Sequence, residues 1–197
     1  NESSGKQGYE IANALNRHGI KTTLIMGPSN LQPLKGVKTV RVKTSDEMFK
    51  EVKKALPVDI AVCAAAVSDY KPISLNENKI KKTRSFLNFK TQRTNDILEY
   101  LGKNNQYRPK LVIGFSAETE NIISNAKNKI RNKNTDLIIA NDVSKKQFGF
   151  NSDFNEVTII DDKGKTDFIK KSKKSFIASA IVEKIVNKLL FYDKNLN

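Results

Sequence analysis

"VDIAVCAAAV", residues 58–67, is apolar at every position but Asp59. A run of strand length without polar alternation reads as a central parallel strand, buried on both faces of a sheet. Two more runs of the same kind follow: "KLVIGFSAET", residues 110–119, and "DLIIAND", residues 136–142. Helical patterns separate them. One opens at Asn95 and runs to Leu101, and the next is marked by Ile122, Ile123, Ala126 and Ile130. Strands alternating with helices point to a parallel sheet covered on both faces.

Upstream, Ile11, Ala12 and Leu15 recur at helical spacing, and Gly19 stands where a helix ends in a left-handed residue. "KTTLIM", residues 21–26, is a short β-rich run, broken by Gly27, Pro28 and Pro33. "VKTVRV", residues 37–42, alternates as a half-buried strand does. Thr44 or Ser45 caps a helix through Ala55, with Glu47 in its first turn and Met48, Phe49 and Val52 on its apolar face. Residues 68–93 have loop chemistry, with a short strand expected at "LNFKT". Downstream, "EVTIIDDKGKTDFI" reads as a hairpin turning at Asp162, Lys163 and Gly164. A last helix uses Phe176, Ile177, Ala180, Ile181, Ile185 and Leu189. The expected fold is α/β: a Rossmann-like, doubly wound, mostly parallel sheet flanked by helices, with a late antiparallel hairpin. No repeat or low-complexity linker divides it.

The 197 residues suit one domain, and 38% hydrophobic content in clustered runs is enough for a core. No apolar run approaches the ~18 residues of a membrane span, and no signal-peptide pattern is visible. The single cysteine, Cys63, rules out an internal disulfide framework and agrees with a reducing cytoplasm. One histidine and one cysteine are too few for a structural zinc site. The net charge of +14 favours polyanionic partners, from nucleotides to nucleic acid.

Ligands in open α/β sheets lie beyond the carboxyl ends of the strands. After the first buried strand come Asp69 and Tyr70. Phe115 and Glu118 close the second, and Asn141 and Asp142 the third. Three such endings suggest one shared crevice. The opening "NESSGKQG", residues 1–8, supplies an anion-binding end, because the free N–H groups and dipole of a helix start favour phosphate. It is neither a Walker A loop nor the dinucleotide fingerprint. The run "NENKIKKTRSFLNFKTQR", residues 76–93, sets Lys79, Lys81, Lys82, Arg84, Lys90 and Arg93 against one acid. A basic loop closing over a triphosphate is one use of it, since lysines offset charge on a leaving pyrophosphate. A nucleic-acid-binding face is the alternative, and a dinucleotide-dependent oxidoreductase shares the fold. His18 sits at a helix C-terminus, where a cation is favourable, and Cys63 reads as a small buried hydrophobe.

"N-x-S-S-G-K-x-G", "C-A-A-A-V-S-D-Y", "K-I-K-K", "G-F-S-A-E-T" and "A-N-D-V…F-N-S-D-x-N" occur in that order. Together they resemble phosphopantothenoylcysteine synthetase, usually the C-terminal half of a bifunctional bacterial coenzyme A biosynthesis protein. The resemblance implies a cytoplasmic, Mg²⁺-dependent ligase. CTP activates 4′-phosphopantothenate as an acyl-cytidylate, pyrophosphate leaves, L-cysteine attacks, and CMP departs. By position, Asn1 matches an asparagine that contacts the acyl intermediate, with Ala66 beside the substrate. Ser3, Ser4 and Gly5 match a nucleotide phosphate-binding turn. Ala65, Ala66 and Asp69 match a strand end that holds nucleotide, with Asp69 toward ribose or metal. Lys79 matches a catalytic lysine on a flexible flap that also meets the nucleotide, and Phe115 a position lining the cytidine pocket. Asn141 and Asp142 belong to a matching strand end without an assigned role. The resemblance implies a homodimer whose flaps reach the partner's site, and neither membrane nor nucleic acid as partner. It further implies that residues 1–197 form a single domain lacking a first strand and glycine-rich turn upstream of residue 1, with a flavin-binding decarboxylase half ahead of them.

Overall fold

Helix α1 (Lys6–Arg17) buries Ile11, Ala12, Ala14 and Leu15 on one side. It ends as its glycine requires. Gly19 takes φ 73°. Its N–H donates to the Asn16 carbonyl at 2.9 Å, and the Ile20 N–H to the Leu15 carbonyl at 3.1 Å. That pair of bonds satisfies carbonyls the helix itself leaves open. The chain, a computed structural model describing residues 3–73, 90–104, 106–143 and 152–194, continues through β1 (Thr23–Met26), β2 (Lys38–Arg41) and α2 (Ser45–Ala55). The Thr44 hydroxyl caps α2 by accepting from the Glu47 N–H at 3.1 Å, and the Glu47 carboxylate accepts from the Lys43 N–H at 2.7 Å. Then come β3 (Ile60–Cys63), a two-stranded arm of β4 (Tyr70–Pro72) and β5 (Thr91–Arg93), and α3 (Ile97–Lys103). Helix α3 is capped by Asp96, one residue after the Asn95 expected to open it. The remaining elements are β6 (Leu111–Glu118), α4 (Ile122–Lys133), β7 (Leu137–Asp142), β8 (Phe154–Asp161), β9 (Thr166–Lys173) and α5 (Lys174–Lys194).

The main sheet has the order β3-β6-β7-β8-β9. Its first three strands are parallel, and β8 and β9 form the expected antiparallel hairpin. Alternation along β6 and β7 decides which helix layer each side chain meets. Leu111, Ile113, Leu137 and Ile139 face α1 and α5, packed with Ile11, Leu15, Ile177, Ile181 and Ile185. Val112, Ile138 and Ala140 face the opposite layer, with Met48 of α2, Leu98 and Leu101 of α3, and Ala126 and Ile130 of α4. This is the doubly wound, mostly parallel arrangement expected.

One expectation fails in detail. The apolar run of residues 58–67 is not a central strand among the described residues. Only Ile60–Cys63 are in the ladder, all four are half-buried, and β3 stands at the edge of the five-stranded sheet. The interior places belong to β6 and β7, where Leu111, Val112, Ile113, Leu137, Ile138 and Ile139 are at most 1% exposed. The cause lies in the first half of the sheet. Strands β1 and β2 pair in parallel as a separate two-stranded sheet. Ile25 of β1, Val40 of β2 and Ala61 and Cys63 of β3 nevertheless pack into the same core layer. Two sheets thus lie between common helix layers. Among the described residues, β1 and β3 each have one edge without a partner strand. Asn1, Lys79 and the basic run from residue 76 to residue 89 lie outside the described residues.

Candidate active site

The N-terminus of α1 is open. Its N-cap is Gly5, in the left-handed region at φ 68°, with no side-chain cap and no acid in the first turn. An ordinary serine-capped helix would have used Ser4 as N-cap. Here the two serines precede the cap. Their hydroxyls lie 3.4 Å from the Gly5 and Lys6 nitrogens, too long to hold these donors strongly. The turn therefore presents N–H groups at the positive end of a helix of 12 residues, where an anion is stabilised.

Two contacts place this turn over the strand ends. A Cβ at Gly8 would sit 3.4 Å from the Ala64 Cβ, so α1 rests closely on the residue after β3. The Ser29 hydroxyl, in the loop after β1, donates to the Ser4 carbonyl at 3.2 Å. The Ser3–Ser4–Gly5 turn thus sits where the chain leaves both β1 and β3. Ala65 and Ala66 follow Ala64, the first exposed and the second half-buried. Phe115 comes one residue after Gly114, which pairs with Cys63, and is half-buried on the α1 side of β6. Asn141 stands opposite Ala117 at the end of β7, with its side-chain oxygen buried and unpartnered. Asp142 closes the strand, and the Val143 N–H donates to the Glu118 carbonyl at 3.0 Å.

Asp69 lies on the strap from β3 to β4. Its carboxylate is exposed, while its carbonyl accepts from the Thr94 N–H at 2.9 Å. The Thr94 hydroxyl also donates to the Ser68 carbonyl at 2.6 Å, so the root of the β4–β5 arm is tied down. No cluster of three or more His, Cys, Asp or Glu side chains among the described residues could hold a metal alone. A single exposed carboxylate fits a Mg²⁺ ion that arrives on phosphate oxygens, because Mg²⁺ on nucleotides takes only one or two protein carboxylates.

Two residues without a role in the sequence analysis, Asp153 and Lys174, also come to the α1 N-terminus. Lys6 pairs with Asp153 at the foot of β8. That hydrogen bond raises the Lys6 pKa and lowers that of Asp153. Lys174, the first residue of α5, is buried, and its pKa is lowered by burial and then by Lys6. The Gln7 amide donates to the Lys174 carbonyl at 3.2 Å. The "F-N-S-D" motif contains Asp153, but nothing local tied it to Lys6. Cys63 needs no functional role: burial, and then Asp96, push its thiol up to about 12.

Residues 1–189 match the family described as the DNA/pantothenate metabolism flavoprotein C-terminal domain. The chain belongs to this family. Among its relatives is the coenzyme A biosynthesis bifunctional protein CoaBC of Haemophilus influenzae, 37% identical over all 197 residues, which cover 48% of that protein. The CoaBC of Vibrio parahaemolyticus is 36% identical over 188 residues, covering 94% of this chain and 47% of the relative. The crystal structure of a C-terminal domain of CoaBC superposes with a TM-score of 0.79 at 33% identity, covering 96% of this chain and 85% of that domain. The chain thus spans about half the length of the curated relatives it matches. The family match runs from the opening turn to α5, so every strand end described above lies within the flavoprotein C-terminal domain.

Proposed function

We propose that the protein carrying this chain is a phosphopantothenate–cysteine ligase that uses CTP. A carboxylate oxygen of 4′-phosphopantothenate attacks the α-phosphorus of CTP, and the bond to the β-phosphate breaks, releasing pyrophosphate. The amine of L-cysteine then attacks the acyl carbon, the C–O bond to the nucleotide breaks, and CMP leaves with the shared oxygen. Neither step demands a histidine. Both demand alignment of reactants and stabilisation of charge on phosphoryl oxygens.

In this reading the Ser3–Gly5 turn and the open start of α1 receive the phosphates. Ala65 and Ala66 line the strand end, Phe115 borders the base, and Asn1 and Ala66 meet the acyl group. Asp69 holds Mg²⁺, which supplies charge neutralisation on the phosphates. Lys79, carried on the segment between β4 and β5, acts on the intermediate. The carrying observation is the uncapped, acid-free N-terminus of α1 with left-handed Gly5, set at the ends of β1 and β3. The family match supports the same reading and does not favour the nucleic-acid alternative.

The proposal extends to the rest of the protein. A strand from ahead of residue 1 fills the open edges of β1 and β3, and a flavin-binding decarboxylase half precedes it. The half-length coverage of CoaBC relatives supports such a fusion. The protein acts in the cytoplasm as a homodimer, with the β4–β5 arm reaching the partner's site. The test is pyrophosphate release by the protein with its upstream residues, given 4′-phosphopantothenate, Mg²⁺ and CTP or ATP. We expect sustained release with CTP only when cysteine is present. No release with either nucleotide from folded protein would reject the ligase.

A further inference from the structure

Arg41, the last residue of β2, sits across the ladder from Met26, where β1 ends and the loop toward Ser29 begins. Its guanidinium grips that loop twice. Nη1 donates to the Ser29 carbonyl at 2.9 Å, and Nη2 to the Leu31 carbonyl at 2.6 Å. Between these two carbonyls the Ser29 hydroxyl accepts from the Leu31 N–H at 3.2 Å and donates to the Ser4 carbonyl at 3.2 Å. The hydroxyl has no freedom left. The Leu31 N–H can only donate, so the oxygen must accept from it, and the one hydroxyl proton is directed to Ser4. The peptide joining Ser4 to Gly5 is planar, so holding the Ser4 carbonyl fixes the direction of the Gly5 N–H on its other side.

We propose that Arg41 and Ser29 are positioning residues for the nucleotide: a relay that holds the Ser4–Gly5 peptide, whose N–H faces the Ser3 hydroxyl at 3.4 Å, and so fixes the Ser3–Gly5 turn that receives the phosphates. The inference rests on the reading of the Ser3–Gly5 turn as the phosphate site. In this assignment both side chains act through main-chain atoms and not on the nucleotide itself. Arg41 is exposed, and its two acceptors are both main-chain carbonyls. Lysine cannot replace it, because one ammonium does not reproduce the planar fork that spans two carbonyls. The relay accounts for a polar contact between segments that share no strand pairing: α1's entry turn and the loop after β1.

The test is steady-state pyrophosphate release by the full-length protein, with KM measured separately for CTP and for 4′-phosphopantothenate. Arg41→Ala and Ser29→Ala each raise the KM for CTP about five- to tenfold, the weight of one hydrogen bond. Both leave kcat within about twofold and the KM for 4′-phosphopantothenate unchanged. Ser29→Thr keeps a hydroxyl and stays near the parent. The double variant is no worse than either single one, because both break the same relay. A working parent whose two alanine variants keep the parental KM for CTP overturns the relay alone. So do effects that multiply in the double variant, or a rise equal for both substrates. A parent that neither binds nor turns over CTP overturns the reading beneath the relay, and the relay with it.

Discussion

Gly5 reaches φ 68° at the mouth of the site, a conformation in which a Cβ costs about 1–2 kcal/mol. Gly5→Ala leaves room for the methyl group, since the nearest atom is 3.8 Å away, so strain rather than clash sets the penalty. We expect the KM for CTP to rise about tenfold, measured by pyrophosphate release. Lys79→Ala should slow turnover severely while CTP still binds, and Asp69→Ala should weaken CTP binding in a direct titration. Parental turnover in the first, or an unchanged binding curve in the second, removes that residue from its role. Cys63 gives a pH prediction. The folded thiol keeps its proton to about 12, against about 8.5 in an unfolded chain. Below pH 8.5 both states are protonated, and above it only the unfolded thiol ionises. This group's contribution to stability is therefore full below that pH and declines as pH rises toward 12. At pH 8 a thiol reagent should label the urea-unfolded protein promptly and the native protein at least ~100-fold more slowly. Fast labelling of native protein would contradict the assigned burial. That Ser3, Ser4 and Gly5 stand at the start of a helix could be read from the sequence, because helix entry is a local matter. Asp153 could not, since it reaches Lys6 from 147 positions away.

Among the elements, turn and cap chemistry was readable at Thr44 and Gly19 and one residue off at α3, which Asp96 caps in place of Asn95. Thr44 and Gly19 act as their types require. The burial of residues 58–67 was not readable, because sidedness depends on which strands stand alongside. Of the β4–β5 arm only a short strand at residues 87–91 was expected: β5 begins at Thr91, residues 87–89 lie outside the described residues, and β4 was missed because a three-residue strand with exposed positions carries no hydrophobic pattern. Helix α3 gives the sharpest packing prediction. A Cβ on Gly102 would lie 1.9 Å from the Lys133 carbonyl oxygen and 2.7 Å from that of Asn134. Both are main-chain atoms, which cannot swing aside. Arg108 and Asn134 both donate to the Gly102 carbonyl, at 3.0 and 2.7 Å, and fix the same junction from the other side. Gly102→Ala should therefore lose about 3 kcal/mol in urea unfolding, the upper end of ordinary overpacking. A loss under ~0.5 kcal/mol would mean that α3 and α4 are not so closely apposed.

For the whole molecule, the split between the β1–β2 pair and the five-stranded sheet is the main structural fact. Apolar strands with open edges are a liability that proteins ordinarily cover. On the proposal that a strand from ahead of residue 1 lies between β1 and β3, a chain extended to include it should gain more than ~5 °C in Tm. An unchanged Tm would leave the edges without that occupant. The +14 charge, read on its own, left nucleic acid open as a partner, because net charge reports on polyanions in general. In the proposed ligase the open start of α1 meets a nucleotide instead. The most direct measurement supplies the full-length protein with CTP, cysteine and 4′-phosphopantothenate labelled with ¹⁸O in its carboxylate, and weighs the CMP released. One labelled oxygen in each CMP is expected, because the carboxylate attacks the α-phosphorus and the C–O bond breaks when cysteine arrives. Unlabelled CMP, formed alongside the coupled product, would contradict an acyl-cytidylate and with it the chemistry assigned to this site.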